Sequence, residues 1–420
     1  MFYNTAMESL SKLRAMAGHM GLEPAEEVGV PRVVTPPPEL KRNGERPYTL
    51  TAESQVAPCG QVIVSHQAVQ KNADLGVFHA KMPGGKTIPL LKTLLTSACE
   101  RNCHYCPFRA GRNYRRVTFA PEEMAQTFMQ MFRAGLVEGL FLSSGIIGGG
   151  VKTQDKLLAT VELLRQRYQF QGYVHLKIMP SAEHAQVERA MQLANRVSVN
   201  LEAPNEARLR TLAPLKGFAT ELLRPLQWVD AIRRAQPERQ GWNGRWPSTT
   251  TQFVVGGGDE SDLELLATTA YLTKRLGLQR AYFSGFHPVP DTPLENRSAV
   301  HPLREHRLYQ ASFLFRDYQF DLEEMPFTPE GNLPLDVDPK LAWAQANLQD
   351  APIELNRADR EQLLRVPGIG PKSAATILNA RRRGTLHDLR DLQTLGVKTG
   401  RMEPFVLLNG RRPARQLALF

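Results

Sequence analysis

Leu90-Leu-Lys-Thr-Leu-Leu-Thr-Ser-Ala-Cys99-Glu-Arg-Asn-Cys103-His-Tyr105-Cys106-Pro107 is the stretch from which the rest of the chain can be read. An apolar strand, Leu90–Ser97, runs directly into three cysteines spaced Cys-x3-Cys-x2-Cys. They are three of only four cysteines in 420 residues, the fourth being Cys59. Such sparing use of cysteine builds no disulfide framework and fits a reducing compartment. Three thiolates on one short loop ask for a metal. Zinc with a distant fourth ligand is one candidate, yet structural zinc sites usually pair two Cys-x2-Cys knuckles and no second knuckle exists. An iron–sulfur cluster is the other; three thiolates on four irons would leave one iron open to a substrate or cofactor. Cys59 reads as a small buried hydrophobe, with a thiol role in hydrogen donation or quenching as the alternative.

Outward from this loop the sequence alternates strand and helix. Apolar runs at 139–144, 172–179, 196–202, 249–255 and 280–286 read as strands. Amphipathic stretches at 121–134, 153–168, 182–194, 221–234 and 261–276 read as helices. Six strand–helix repeats predict a parallel α/β sheet. Pattern alone leaves a doubly wound sheet and an open or closed barrel both standing. The strand faces favour the barrel. Ser198, Asn200 and Glu202 share one face of their strand, and Tyr173, His175 and Lys177 one face of theirs, opposite Val and Leu. A polar inner face suits a barrel that holds a polar ligand.

At this point the sequence resembles the radical S-adenosylmethionine (SAM) superfamily. The resemblance rests on Cys99, Cys103 and Cys106, on Tyr105 before the last cysteine, and on their place after the first strand of six. It implies a partial (β/α)6 barrel whose three cysteines hold a [4Fe–4S] cluster, with SAM on the open iron. Reductive cleavage of SAM would then yield a 5′-deoxyadenosyl radical. The resemblance also implies SAM contacts at Tyr105, at Ser144 and Gly145 ending the second strand, at Ser198, Asn200 and Glu202 on the fourth, and at the Gly256-Gly257 turn. The acidic residue usual after the second strand is missing here. The glycine turn can equally be an ordinary strand–helix connection. Arg109, Arg112, Arg115 and Arg116, just past the cysteines, read either as a solvated basic loop or as phosphate contacts.

The C-terminal sixth carries the charge. The chain has 52 Lys and Arg against 42 Asp and Glu, and residues 351–420 alone hold thirteen against six. That asymmetry is a footprint for a polyanion. Within it, Leu-Leu-Arg-Val-Pro367-Gly368-Ile369-Gly370-Pro371-Lys372-Ser373 resembles a helix-hairpin-helix motif, which grips nucleic-acid backbone without reading bases. Gly368, Ile369, Gly370, Lys372 and Ser373 are its candidate DNA contacts; the glycines let the turn approach a phosphate, and the helix start supplies N–H donors. A degenerate second hairpin is expected at 385–399. The last residues, Gln416-Leu417-Ala418-Leu419-Phe420, resemble the peptide by which bacterial proteins bind the replication sliding clamp.

The order of parts resembles a bacterial family of radical SAM proteins assigned to DNA modification or repair and linked in the genome to a uracil-DNA glycosylase-like protein. The expected organisation is an N-terminal extension with a Pro-rich linker (1–50), a radical SAM barrel (51–300), a helical connector (301–350), tandem helix-hairpin-helix motifs (351–410) and a tail (411–420). The expected function is modification or repair of duplex DNA, with an electron donor, the clamp and the glycosylase-like protein as partners. RNA modification and a non-catalytic, clamp-tethered iron–sulfur protein are the alternatives. No apolar run reaches the length of a membrane span and no secretion signal opens the chain, so a cytoplasmic, nucleoid-associated protein is expected.

Overall fold

A computed structural model of the chain describes residues 2–17, 20, 75–81 and 87–413. Cys59 and Gln416–Phe420 lie outside the described residues. A seven-stranded sheet, a curled half-barrel, runs in the order β1 (Val77–Lys81), β2 (Thr87–Leu94), β3 (Gly139–Ser143), β4 (Tyr173–Lys177), β5 (Arg196–Glu202), β6 (Ser248–Val255) and β7 (Arg280–Gly285). The pairs β2–β3, β3–β4 and β4–β5 are parallel. Six of the strands are those expected. The seventh, β1, pairs antiparallel with β2 at the edge and was not foreseen, because Val-Phe-His-Ala-Lys is too short to show a period. Among the described residues no helix is long and apolar enough to cross a membrane.

The chain divides into two compact units. Met1–Val199, Leu215–Thr250 and Pro290–Thr292 form the first; Asn200–Pro214, Thr251–Val289 and Pro293–Phe420 form the second. In the first unit the helices are α1 (Phe2–Ala17), α2 (Pro121–Arg133), α3 (Gly150–Glu162), α4 (His184–Leu193) and, past residue 215, α6 (Arg224–Ala235). Proline at the first helical position and Glu122 and Glu123 in the first turn start α2, where a missing N–H costs nothing and a carboxylate meets the positive end of the helix. Glu123 also ties α1 down, accepting from Lys12 Nζ at 2.8 Å and from Ser9 Oγ at 2.9 Å.

The helix expected as one piece over 153–168 is two. After α3 the chain makes a π turn, Leu163–Arg167, a one-residue widening that re-aims a side chain. The side chain is Arg165. Buried in an otherwise apolar layer, it donates to the carbonyls of Leu193 at 3.0 Å, Phe170 at 2.7 Å and Gly172 at 2.9 Å. Its guanidinium lies 3.8 Å from the Trp242 ring centroid. Burial pulls its pKa down to about 10, so it stays charged and its donors are satisfied.

The second unit holds α5 (Glu206–Leu212), α7 (Asp262–Leu276), α8 (Pro302–Asp317), α9 (Pro339–Asn347), α10 (Arg360–Arg365), α11 (Pro371–Arg381) and α12 (Leu389–Thr394), with a two-stranded sheet of β8 (Ile353–Glu354) and β9 (Val406–Leu407). Ser261 and Glu264 cap α7 reciprocally, and Gly277 at φ 60 ends it, the conformation that favours glycine. Leu355, Leu363, Leu364, Ile369, Ile377, Leu392 and Val406 build one apolar core, and Ala344 and Leu348 pack into it. Arg365 crosses the edge of that core. It donates to the Tyr318 carbonyl at 2.9 Å, the Gln319 carbonyl at 3.1 Å and Glu324 at 2.9 Å, with its guanidinium 4.0 Å from the Phe320 ring centroid. Removing Arg365 leaves the Tyr318 and Gln319 carbonyls and the partly exposed Glu324 without their donor. Arg365→Ala should therefore lower stability by about 3 kcal/mol in urea titration, while Arg316→Ala on the surface costs about 1 kcal/mol or less. Equal effects would contradict this account of the core.

Candidate functional site

The three cysteines lie on a loop that leaves β2 and returns beside it. Ser97 N–H donates to the Val117 carbonyl at 2.9 Å and Val117 N–H to Ser97 Oγ at 2.9 Å, so the loop is tied off at its neck. Arg116 braces its interior, donating to the carbonyls of Ser97 at 3.0 Å, Phe108 at 2.6 Å and Arg109 at 2.8 Å. Arg112 donates to Pro107 and Pro290 carbonyls, both at 3.0 Å. Two of the four arginines after the cysteines are thus structural braces rather than free surface charges; Arg115 is exposed.

The end of β3 supports the loop from below. Gly145 N–H donates to the Thr96 carbonyl at 2.7 Å. A Cβ on Gly145 would stand 2.3 Å from the Ala98 carbonyl oxygen, so only glycine lets the backbones meet. Ile146 N–H points at Cys99 Sγ at 3.5 Å, and Glu100 N–H donates to the Ile146 carbonyl at 2.8 Å. The Glu100 carboxylate accepts from Gly148 and Gly149 at the start of α3, at 2.9 and 3.1 Å, as the helix dipole favours. On the other side, Arg101 donates to the Leu215 carbonyl and, at 2.7 Å, to Glu221. Burial alone would raise the Glu221 carboxyl; Ser181, the Gly217 N–H and Arg101 outweigh it and hold the group below its usual range. The contacts of Arg101, Glu100 and Glu221 were not legible in the sequence, because each joins residues far apart in the chain.

Cys103 is buried and Cys99 and Cys106 half-buried. Burial first, then Cys103 and Cys99, push the Cys106 thiol well above its ordinary value, partly offset by the Phe108 backbone and Lys216. Three thiol side chains carried on one loop are the donor set an iron–sulfur cluster needs. Among the described residues no three His, Cys, Asp or Glu side chains have the compactness of a single-ion site.

The expected SAM contacts divide between the units. In the first, Ser144 is buried with no hydrogen-bond partner for its Oγ, and Gly145 beside it abuts the cysteine loop. Such an orphaned hydroxyl is what a bound polar ligand would satisfy. Tyr105 is half-buried on the loop. Ser198 is already engaged, 2.9 Å from His175 Nε2. Around it the register aligns Lys92, Phe141, His175 and Arg196 in one row across four strands, each under a tenth exposed. Burial, then Arg196, Lys177 and Lys92, hold the His175 pKa well below its usual value. In the second unit, Asn200 Oδ1 is likewise buried without a partner, and Glu202 is buried with φ 63. The Gly256-Gly257 turn is explained by packing. Gly256 has φ 83, and a Cβ on Gly257 would stand 2.7 Å from Leu212. The N–H groups of Gly256 and, at 3.1 Å, Gly258 go to the buried Glu260, and Arg297 donates to the Gly257 carbonyl at 2.6 Å. Glu260, three residues past Gly257, is the residue that organises it.

The second unit also gathers all five hairpin residues. α10, the Val366–Gly370 turn and α11 form the hairpin; Gly368 has φ 85, Ile369 plugs the core, and Lys372 is exposed beside the open N–H groups of α11. The second hairpin keeps its first helix, α12, and its turn glycine, Gly396 at φ 77. Its second helix is reduced to a 3₁₀ turn, Glu403–Phe405.

Residues 93–272 match the model of the Radical SAM superfamily, and residues 353–380 that of the helix-hairpin-helix motif. The matched segment is thus similar to a superfamily of enzymes whose members use a [4Fe–4S] cluster and SAM, and Cys99, Cys103 and Cys106 fall in its expected region. No curated protein matches it. Among solved structures it is similar to the FeFe-hydrogenase maturase HydG from Carboxydothermus hydrogenoformans, at 20% identity and TM-score 0.41, covering 54% of this chain and 50% of that one. It is similar also to methylornithine synthase PylB, at 16% identity and TM-score 0.42, covering 54% and 61%. A third is the radical S-adenosylmethionine methyltransferase TsrM from Kitasatospora setae, at 13% identity and TM-score 0.38, covering 52% and 39%. The chain spans about half the length of the HydG structures.

Two outcomes test this site. Gly145→Ala forces the loop away from Ala98, so SAM cleavage should fall by about 10²-fold, the scale of a 1 Å misplacement; a fully active variant would contradict the close approach. His175 titrates below its unfolded value near 6.5, so the unfolded chain takes up the proton first. Its contribution is present above about pH 6.5 and is lost as pH falls towards the folded value, by about 1.4 kcal/mol per pH unit. In thermal melts His175→Gln should flatten that acid limb, and an unchanged limb would assign it elsewhere.

Proposed function

We propose that this chain is a radical SAM enzyme that modifies or repairs duplex DNA. The observation that carries the proposal is the joining of a radical SAM domain to a helix-hairpin-helix motif with a strongly basic end on one chain. Cys99, Cys103 and Cys106 hold the cluster, and Ser144, Gly145, Asn200 and Glu202 are the SAM contacts with the best support: orphaned or buried polar atoms in three cases, a cleared backbone in the fourth. Ser198 serves indirectly, by fixing the His175 ring. When bound, the cluster and SAM supply one-electron cleavage of SAM and hydrogen-atom abstraction. The protein's part is to fix the loop, exclude water and present a polar, basic lining through Lys92, Lys177 and Arg196.

Gly368, Ile369, Gly370, Lys372 and Ser373 grip backbone phosphate through the first N–H groups of α11, which have no intrahelical acceptor. Phosphate contacts position a duplex without selecting a base. A target nucleotide must therefore leave the stack to be reached. An electron donor follows from the chemistry. Gln416, Leu417, Leu419 and Phe420 are proposed to hold the sliding clamp, and a uracil-DNA glycosylase-like protein is the proposed repair partner; both rest on sequence resemblance. A nucleoid-associated place in the cytoplasm follows.

Cys103→Ala should abolish 5′-deoxyadenosine formation under reductant while leaving duplex binding intact; full activity in that variant would sink the cluster assignment. Binding to duplex should weaken with salt, log affinity falling by about 0.9 per log unit of salt for each phosphate engaged. Salt-independent binding, or preference for structured RNA as competitor, would remove DNA as the substrate.

A further inference from the structure

Lys340 sits in the first turn of α9, where the helix dipole disfavours a cation. Asp338 caps that helix, accepting from Leu341 N–H at 2.9 Å. The lysine does not point to water. Its Nζ donates to the carbonyl of Ile369, the middle of the hairpin turn, at 2.6 Å, and lies 4.5 Å from the centroid of the Tyr318 ring. Tyr318 continues under the turn, because a Cβ on Gly370 would stand 3.2 Å from its hydroxyl oxygen. The charges that face Lys340 are Asp338 on the N-terminal side of its own helix, Arg365 from α10 and Arg401 from the second hairpin. Arg365 is engaged with Glu324, and Arg401 with Asp338. The two hairpin turns are neighbours here: a Cβ on Gly368 would stand 3.3 Å from Arg401 Cβ.

We propose that Lys340 is a positioning residue for the phosphate-binding hairpin. It holds the Ile369 carbonyl inward, so that the N–H groups opening α11 face out, and places a positive charge directly behind them. This rests on the DNA reading above. It assigns to α9, outside the hairpin itself, a share of the grip on the polyanion. Burial, relieved in part by Asp338, draws the Lys340 pKa down to about 7. The ammonium is thus lost as pH rises through neutrality, while the neutral amine can still donate to Ile369. The phosphate grip should accordingly weaken above pH 7 although the turn stays braced.

Two measurements on the full chain separate these parts. The first is anisotropy of a labelled duplex at fixed salt from pH 6 to 8.5, for wild type, Lys340→Met and Lys340→Arg. The second is hydrogen–deuterium exchange at residues 366–373 without DNA, comparing variants at the same pH. The expected result is a several-fold loss of wild-type affinity across the range. Lys340→Met should bind several-fold more weakly at pH 6, without that step, and exchange faster at the hairpin only. Lys340→Arg, which keeps its charge, should lose the step and retain binding. A pH step that persists in Lys340→Met, or hairpin exchange equal to wild type, overturns the proposal. Faster exchange confined to the hairpin, in a protein that binds no duplex at any pH, keeps the brace and overturns the DNA reading instead.

Discussion

The contact on which the site depends is the one between the end of β3 and the cysteine loop. Gly145 gives its N–H to Thr96 and offers no side chain to Ala98, so the two backbones touch. A loop carrying three thiols is expensive to order, since backbone entropy favours its wandering. Here the Ser97–Val117 neck, the Arg116 brace, the Glu100 carboxylate on α3 and the Arg101–Glu221 pair hold it at four points. Apart from the exposed Glu100 contact, these lie in buried or partly buried places, where such bonds are stronger and their loss costs more. The loop is in this sense pre-organised: its backbone is tied at several points before any cation arrives.

The inner face of the sheet follows the same logic with different chemistry. Lys92, His175 and Arg196 share a row, and Lys177 pairs in register with Ser198 one step on. A dry barrel core would fill these places with branched apolar side chains. Basic groups in their stead make the interior hospitable to a polar, electron-rich ligand. His175 is kept neutral by burial and by its cationic neighbours, so it serves as a hydrogen-bonding partner for Ser198 and adds no charge.

Much of this was readable from residue order. The cysteine spacing, the alternation of strand and helix, the polar faces of β4 and β5, and the Pro-Gly-Ile-Gly turn are local signals, and local signals survive in a single sequence. What stayed hidden depends on residues distant in the chain. Nothing near Ser198 announces that His175 will claim it. Nothing in Val-Gly-Gly-Gly-Asp says that Glu260 will take the N–H groups of Gly256 and Gly258. The π turn that aims Arg165 inward shifts the helical period by one residue, and a pattern search reads through it. Lys340 is hidden in a further way: as a cation at a helix start it looks misplaced, and only its contact with Ile369 explains it.

The most direct test of a DNA-directed radical enzyme is mass spectrometry of duplex DNA incubated with the reconstituted, reduced protein and SAM. A nucleoside of altered mass, formed with SAM cleavage and absent when reductant is omitted, is the expected result. Brisk SAM cleavage that leaves the duplex unaltered, while structured RNA in the same assay gains a modified nucleoside, would contradict it.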